Sequence, residues 1–565
     1  MSRWLLLAVL AYLILVPLGM LLFSSFRDTT NRLPFEATPW TLSNYSNVFT
    51  SGSTYRVLGI SLGYAAGSLA LAFLIVLPLA FLLERTDFPM QRTLRLVVLA
   101  PLGLPAFVGA MAWILLAESK IGLINLVLRY VFGITSGEGP FNIYSIGGMI
   151  FVTGLLFVPS IYLMISGTFT RFDPAFEESS ATSGASFLTT LRRITVPLLS
   201  PSILGAAVFF MIVGIEAFEV PAFIGIPGGI YTLSTRVYYL VNPPTGGLPA
   251  YGVAAAFGVV TLIVAGALVV AYRRVLGDRS RFVTVGSRGF RPELIKLRPW
   301  PRRLAVSGVG LYALIAIVLP ILVLLWESLL PNYADFSISS LKQLTFSAYS
   351  QVFSDPSTGS IVVHTVVMAS VSAVLIMALA SLTAWFALRD RSRGFKVAEF
   401  VLFASVGIPS VIVAVSIGLL YLWLHVGIYG TIWILVLAMA ARYIPYGTTV
   451  MTPALMQVGR DLEDASTMCG ASQWQTLRRI LFPLIWPSFA RGMLWTFIQA
   501  ARDATIVVLL LSIGNVTIGS DLYQTWASSA NLSYACALSI LLVIVSSALT
   551  LLVLRFDSVA RRPAG

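Results

Sequence analysis

Runs of twenty or so mostly apolar residues recur along this chain, and that recurrence limits what it can fold into more than any other feature. They lie near 4–24, 57–82, 94–117, 143–167, 201–225 and 250–272, then near 304–326, 361–388, 397–423, 430–456, 487–512 and 532–555. A helix of about 20 apolar residues crosses the hydrocarbon of a bilayer. Charged residues are only 11% of the sequence, where a soluble domain carries about a quarter. Each charge at the bilayer centre costs roughly 2.5–3.5 kcal/mol, so their scarcity follows from burial in lipid. The pattern predicts an all-α, polytopic membrane protein of about 12 transmembrane helices. The stretch 120–134 is a candidate for a further short or re-entrant helix. Arg3 precedes the first run, and Phe23-Ser24-Ser25-Phe26 follows it where a signal peptide would carry a small-x-small cleavage site, so this run is expected to be retained.

Charge placement orients the helices. The segment 273–303 holds ten basic residues against Asp278 and Glu293, whereas 327–360 holds one lysine against Glu327, Asp335 and Asp355. Short basic loops stay in the cytoplasm. This places 273–303 inside, 327–360 outside and both termini inside, in keeping with Arg561 and Arg562 at the tail. The net charge of +13 is thus a signal of topology, and no nucleic-acid partner is expected. Cys469, Cys536, His364 and His425 offer neither a disulfide framework nor a metal cluster.

The chain also repeats itself. Residues 41–49 match 345–353 at a shift of 304, and at the same shift Gly103-Leu104-Pro105 falls on Gly407-Ile408-Pro409. Phe157-Val158-Pro159 pairs with Tyr443-Ile444-Pro445 at a shift of 286, so the first half carries extra residues around 118–142. The expected organisation is a six-helix half over 1–272, a basic linker over 273–303 and a second six-helix half over 304–565. Six is even, so the halves run parallel and are pseudo-symmetric about the membrane normal.

The strongest repeat lies between the fourth and fifth helices of each half. One copy runs from Phe176-Glu177-Glu178-Ser179-Ser180 through Gly184-Ala185-Ser186 to Leu191-Arg192-Arg193-Ile194 and Pro197. The other runs from Leu462-Glu463-Asp464-Ala465-Ser466 through Gly470-Ala471-Ser472 to Leu477-Arg478-Arg479-Ile480 and Pro483. Each reads as helix, break, helix. Asp173-Pro174 supplies an N-cap and a proline at the first helical position. Small residues make a thin helix, and Gly184 and Gly470 permit the left-handed conformation that ends it.

This acid, small-small, Gly-Ala-Ser and later Pro pattern resembles the "EAA" loop of ATP-binding cassette importer permeases. The resemblance implies a type I permease fold, with each loop acting as a coupling helix that docks on an ATPase subunit. The family's Glu falls on Glu178 and Asp464, beside Glu177 and Glu463, and its glycine on Gly184 and Gly470, followed by Ala185 and Ala471. It further implies two ATPase subunits, an extracytoplasmic substrate-binding protein and a place in a bacterial inner membrane. None of the four lysines follows a glycine, so the chain lacks a Gly-Lys-Ser/Thr phosphate loop. Hydrolysis is therefore expected in the separate subunit, which would bind ATP and Mg²⁺, with no cofactor and no catalytic residue in this chain.

Charges inside the spans mark a candidate pathway. Glu216 and Glu219 share one face of the fifth span, and Arg502 and Asp503 sit at the matching depth of the eleventh. Both clusters lie roughly 22 Å from the inner end at 1.5 Å per residue. Arg442 in the tenth span is a further candidate. An ion pair between halves and a polar pathway near the outer mouth both account for these groups. The phrase from Glu216 to Gly225, continuing to Thr235-Arg236-Val237-Tyr238, resembles the ferric-iron branch of the family, as does the fusion of two halves. Iron is the implied substrate, with thiamine, polyamine or aminophosphonate as alternatives. Carboxylates suit a hard cation. A secondary transporter is the rival of another class, and Arg389-Asp390-Arg391 resembles its short loop motif, but Glu84-Arg85-Thr86-Asp87 does not repeat it.

Overall fold

The apolar runs fold as helices, and the prolines and glycines between them set where each one stops. The computed structural model describes residues 3–560 apart from 30–31, 37–38, 135–136, 172–174, 244–247, 277–295, 298, 332–337, 390–404, 406 and 529–530. Apart from the short helices Ser43–Thr50, Phe187–Thr190, Ile338–Leu341, Ser347–Ser354 and Gln473–Thr476, the helices in chain order are α1 (Arg3–Ser25), α2 (Gly52–Arg85), α3 (Gln91–Leu99), α4 (Ala106–Ala117), α5 (Leu123–Phe132), α6 (Ile146–Arg171) and α7 (Ala175–Thr182). There follow α8 (Val196–Glu216), α9 (Leu233–Val241), α10 (Tyr251–Leu276) and α11 (Pro299–Ser328). The rest are α12 (Pro356–Arg389), α13 (Ser410–Leu424), α14 (Ile432–Met456), α15 (Arg460–Met468), α16 (Phe482–Ala501), α17 (Thr505–Leu509), α18 (Ile518–Ser528) and α19 (Leu532–Ala560).

Among the described residues nine helices are long and apolar enough to cross a membrane, and ten if the bent pair around 104 is one span. The third expected span turns by 94° there. Pro105 forces extended backbone on Leu104 (φ −89°, ψ 113°), which closes one helix before α4 opens. Pro409 repeats the device at the start of α13, whose 15 residues make it short for a span. The extra residues near 118–142 form α5, held by the buried Asn125. Its amide donates to the carbonyls of Glu118 and Phe141, each at 2.8 Å, and its carbonyl accepts from the Phe141 amide at 3.0 Å.

Helices group into two compact units. One comprises residues 1–51, 236–262 and 346–565; the other comprises 52–235 and 263–345. In the first unit α1 lies along α13, with the hydroxyls of Tyr12 and Tyr421 2.8 Å apart. In the second, α11 lies beside the bend, where the Tyr312 hydroxyl donates to the Val98 carbonyl at 3.4 Å. The packing units therefore differ from the contiguous stretches 1–272 and 304–565: each half lends its first helix to the unit built mainly from the other, and the first half lends residues 236–262 as well. A long connector follows each of these helices and lets it pack away from the rest of its own half, an exchange of elements of low cost. The ends of the expected linker are helical, since α10 runs on to Leu276 and α11 opens at Pro299. Most of the linker lies outside the described residues.

Candidate functional site

The two repeated loops share the geometry of their turns. Gly184 and Gly470 take φ of +78° and +79°, the left-handed conformation expected at their position. The amide after each glycine reaches back to close the helix end: Ala185 to the Ser180 carbonyl and Ala471 to the Ser466 carbonyl, both at 3.1 Å. The serines do more than keep the helix thin. Ser180 Oγ lies 2.8 Å from Thr190 Oγ1, and Ser466 Oγ lies 2.9 Å from Thr476 Oγ1. Each threonine hydroxyl also lies within 3.2 Å of the carbonyl of Ser186 or Ser472. A hydroxyl pair thus pins each short helix to the one that follows. Sequence reading missed Thr190 and Thr476, although a Ser and a Thr ten residues apart recur in both copies.

Beyond the threonines, Leu191–Thr195 and Leu477–Leu481 each make one turn of π-helix before the long helices α8 and α16. Such widened turns often mark functional segments. The adjacent acids of the second loop face opposite ways. Glu463 turns inward onto Arg389, whose Nε donates to its Oε1 at 2.8 Å, and it also meets Trp385 Nε1 at 3.5 Å. Asp464 is exposed, beside the exposed side chains of Leu462 and Met468. The exposed face of α15 thus combines an acid with apolar bulk, a surface suited to a partner protein. In the first loop α7 contains Glu177 and Glu178, but their side chains, with Asp173 and Pro174, lie outside the described residues.

The fifth and eleventh spans, which carry Glu216, Glu219, Arg502 and Asp503, are broken at matching places. The expected helix 201–225 stops at Glu216, with Ala217 and Phe218 non-helical, and the expected helix 487–512 stops at Ala501 and resumes at Thr505. A break inside a membrane exposes backbone groups that need partners, and polar side chains supply them. Ser234 Oγ donates to the Ala217 carbonyl at 2.5 Å. Asp503 Oδ1 accepts the Ile506 amide at 2.8 Å, and its other oxygen accepts the Tyr443 hydroxyl at 3.2 Å. Arg442 donates to the carbonyl of Ile408, next to the Pro409 break, at 3.1 Å.

Arg442 and Asp503 therefore have structural work within their own unit. Arg502 caps the end of α16, where a cation is favourable to the helix dipole. Glu216 is buried at the end of α8 and Glu219 is partly exposed. The short helices that follow are held alike: Ser61 Oγ accepts the Leu233 amide at 2.8 Å and Thr365 Oγ1 accepts the Ile518 amide at 2.9 Å.

Similar sequences are found among known proteins. The family model described as "Binding-protein-dependent transport system inner membrane component" matches residues 76–281 and 376–559. A Haemophilus influenzae relative named for ferric transport is 24% identical over 462 residues, which are 80% of this chain and 69% of the relative. The "Ferric transport system permease protein FbpB" of Actinobacillus pleuropneumoniae is 24% identical over 418 residues, 73% of this chain and 58% of that one. The "Fe(3+)-transport system permease protein FbpB 2" of H. influenzae is 22% identical over 473 residues, 82% of each chain. The family match takes in each repeated loop and each broken span, and it covers well over half of the chain. The chain belongs to the family of binding-protein-dependent transport system inner membrane components.

Proposed function

We propose that this protein is the permease subunit of an ATP-binding cassette importer for ferric iron, with one chain supplying both halves of the channel. The observation that carries this reading is the pair of matching loops, each with a left-handed glycine and a hydroxyl lock. Two copies of one docking element call for two copies of one partner, and a pair of ATPase subunits meets that requirement. Those subunits bind and hydrolyse ATP with Mg²⁺; this chain contributes no catalytic group. Both termini and both loops face the cytoplasm, a reading supported by the basic segment 273–303. A substrate-binding protein delivers iron on the opposite side.

Iron is supported by the names of three relatives that match most of this chain. The carboxylates of Glu216 and Glu219 at the break after α8 suit a hard cation. ATP-driven approach of the ATPase subunits moves the loops, and the halves alternate between outward and inward access. The test is reconstitution with the ATPase and binding protein, comparing uptake of labelled ferric iron and labelled thiamine side by side. Iron uptake dependent on ATP is the expected result. Thiamine uptake without iron uptake overturns the substrate, and failure of any ATPase subunit to co-purify overturns the importer.

A further inference from the structure

Helix α15 has nine residues, too few to be stable in isolation. Gly459 precedes it and Cys469-Gly470 closes it, so only chain breaks join it to the membrane helices at either end. Among the described residues, two side-chain contacts hold it in place. One is the Ser466–Thr476 lock to the segment that follows. The other joins it to α12, a helix of 34 residues that reaches roughly 50 Å at 1.5 Å per residue.

Arg389 is the last residue of α12. Its Nε donates to Glu463 Oε1 at 2.8 Å, and a second guanidinium nitrogen donates to the same oxygen. Trp385, one turn earlier on α12, faces the other carboxylate oxygen at 3.5 Å. The pair is shielded, with side-chain exposures of 19% for Arg389 and 15% for Glu463, so solvent and salt screen it less than a surface pair. This end of α12 is itself embedded. Trp385 and Leu388 pack on a buried cluster formed by Met377 and Ala384 of α12, Met451 and Leu455 of α14, and Ile485 and Phe489 of α16.

We infer that Arg389 and Glu463 form a latch through which displacement of α15 is passed to α12, and from there to α14 and α16. The inference rests on the reading of α15 as the ATPase-docking element. It also divides the work between the adjacent acids, since Asp464 stays on the exposed face while Glu463 binds α15 to the transmembrane bundle. Arg389 is thus a positioning residue, because it acts through Glu463. The repeat places Arg85 and Glu177 at the corresponding positions, by the same shifts of 304 and 286, and Arg85 is buried at the end of α2. Both halves therefore carry the two residues the latch needs.

The test uses the permease reconstituted with its ATPase and binding protein, and reads ATPase retention, ATP hydrolysis and labelled ferric iron uptake together. Arg389→Glu and Glu463→Arg are expected to retain the ATPase but to lower iron taken up per ATP hydrolysed about tenfold, within the range single contacts contribute to coupling. The exchange carrying both substitutions is expected to regain most of that ratio. Arg389→Lys keeps the charge but loses the paired donors, and is expected to fall between. Should the reversals fail to accumulate in the membrane, Arg389→Gln is read in their place and is expected to lower the same ratio. An unchanged ratio in the reversals or in Arg389→Gln overturns the latch, as does an exchange variant no better than the single reversals. Loss of the ATPase from the wild-type complex instead overturns the docking assignment on which the latch rests.

Discussion

Gly184 and Gly470 sit where each loop turns with φ near +80°, and nothing lies within 4 Å of where a Cβ would project. Space is therefore not what demands glycine at either place; backbone conformation is. A β-branched side chain held there pays on the order of 1–3 kcal/mol, whereas asparagine tolerates the left-handed region far better. Gly470→Val is expected to weaken ATPase retention or uncouple hydrolysis from uptake, Gly470→Asn to do so only slightly, and Gly184→Val with Gly470→Val to be worse than either alone. Co-purification and coupled uptake assays check this, and wild-type values in the double variant contradict it. At the breaks, Glu216→Gln with Glu219→Gln is expected to abolish or retune iron uptake while leaving membrane insertion intact, because it removes charge from a span. Normal uptake would leave these carboxylates a purely structural role. The acids and glycines of the loops were legible as residues because they recur in register. Arg389 was not, since its partner Glu463 lies 74 positions away.

Among the elements, the repeat is one helix-turn-helix built twice, and the hydroxyl lock is its internal fastening. A hydrogen bond of this kind contributes about 1 kcal/mol net. Ser466→Ala and Thr476→Val are each expected to lower ATPase affinity, and the pair together to cost no more than the larger single loss. That is the signature of one shared contact. A double-mutant cycle on ATPase binding measures it, and simple additivity would mean the two hydroxyls act separately. The apolar runs indicated where spans lie but not where they break. Residues 201–225 and 487–512 read as continuous because the charges at Glu216, Glu219, Arg502 and Asp503 stand in runs that are otherwise largely apolar. What interrupts them is the supply of alternative partners for the backbone, such as Ser234 for the Ala217 carbonyl and the Asp503 carboxylate for the Ile506 amide.

For the protein as a whole, orientation decides whether the loops meet the ATPase at all. A cysteine introduced at Ser287, in the basic segment, is expected to be shielded from an impermeant thiol reagent in intact cells, and one at Ser337 to be labelled. Both positions lie outside the described residues, and labelling reads them directly. The reverse pattern would turn the protein over and remove the loops from the cytoplasm. Exchange of first helices between the units gives the fused chain a mechanical consequence: α1 lies along α13 through Tyr12 and Tyr421, so the N-terminal helix belongs to the unit containing the second loop.

The membrane class, the doubling of the chain and the two loops with their glycines could all be read from the residues in order. These depend on local properties: apolar run length, positive-φ tolerance and recurrence at fixed shifts. Tertiary packing settled which helix lies against which, where the fifth and eleventh spans break, and which way each of the acids Glu463 and Asp464 faces. Those outcomes depend on partners far away in the chain. An apolar helix surface is satisfied by any matching surface, and a buried charge or an orphaned carbonyl by whichever polar group the fold brings to it.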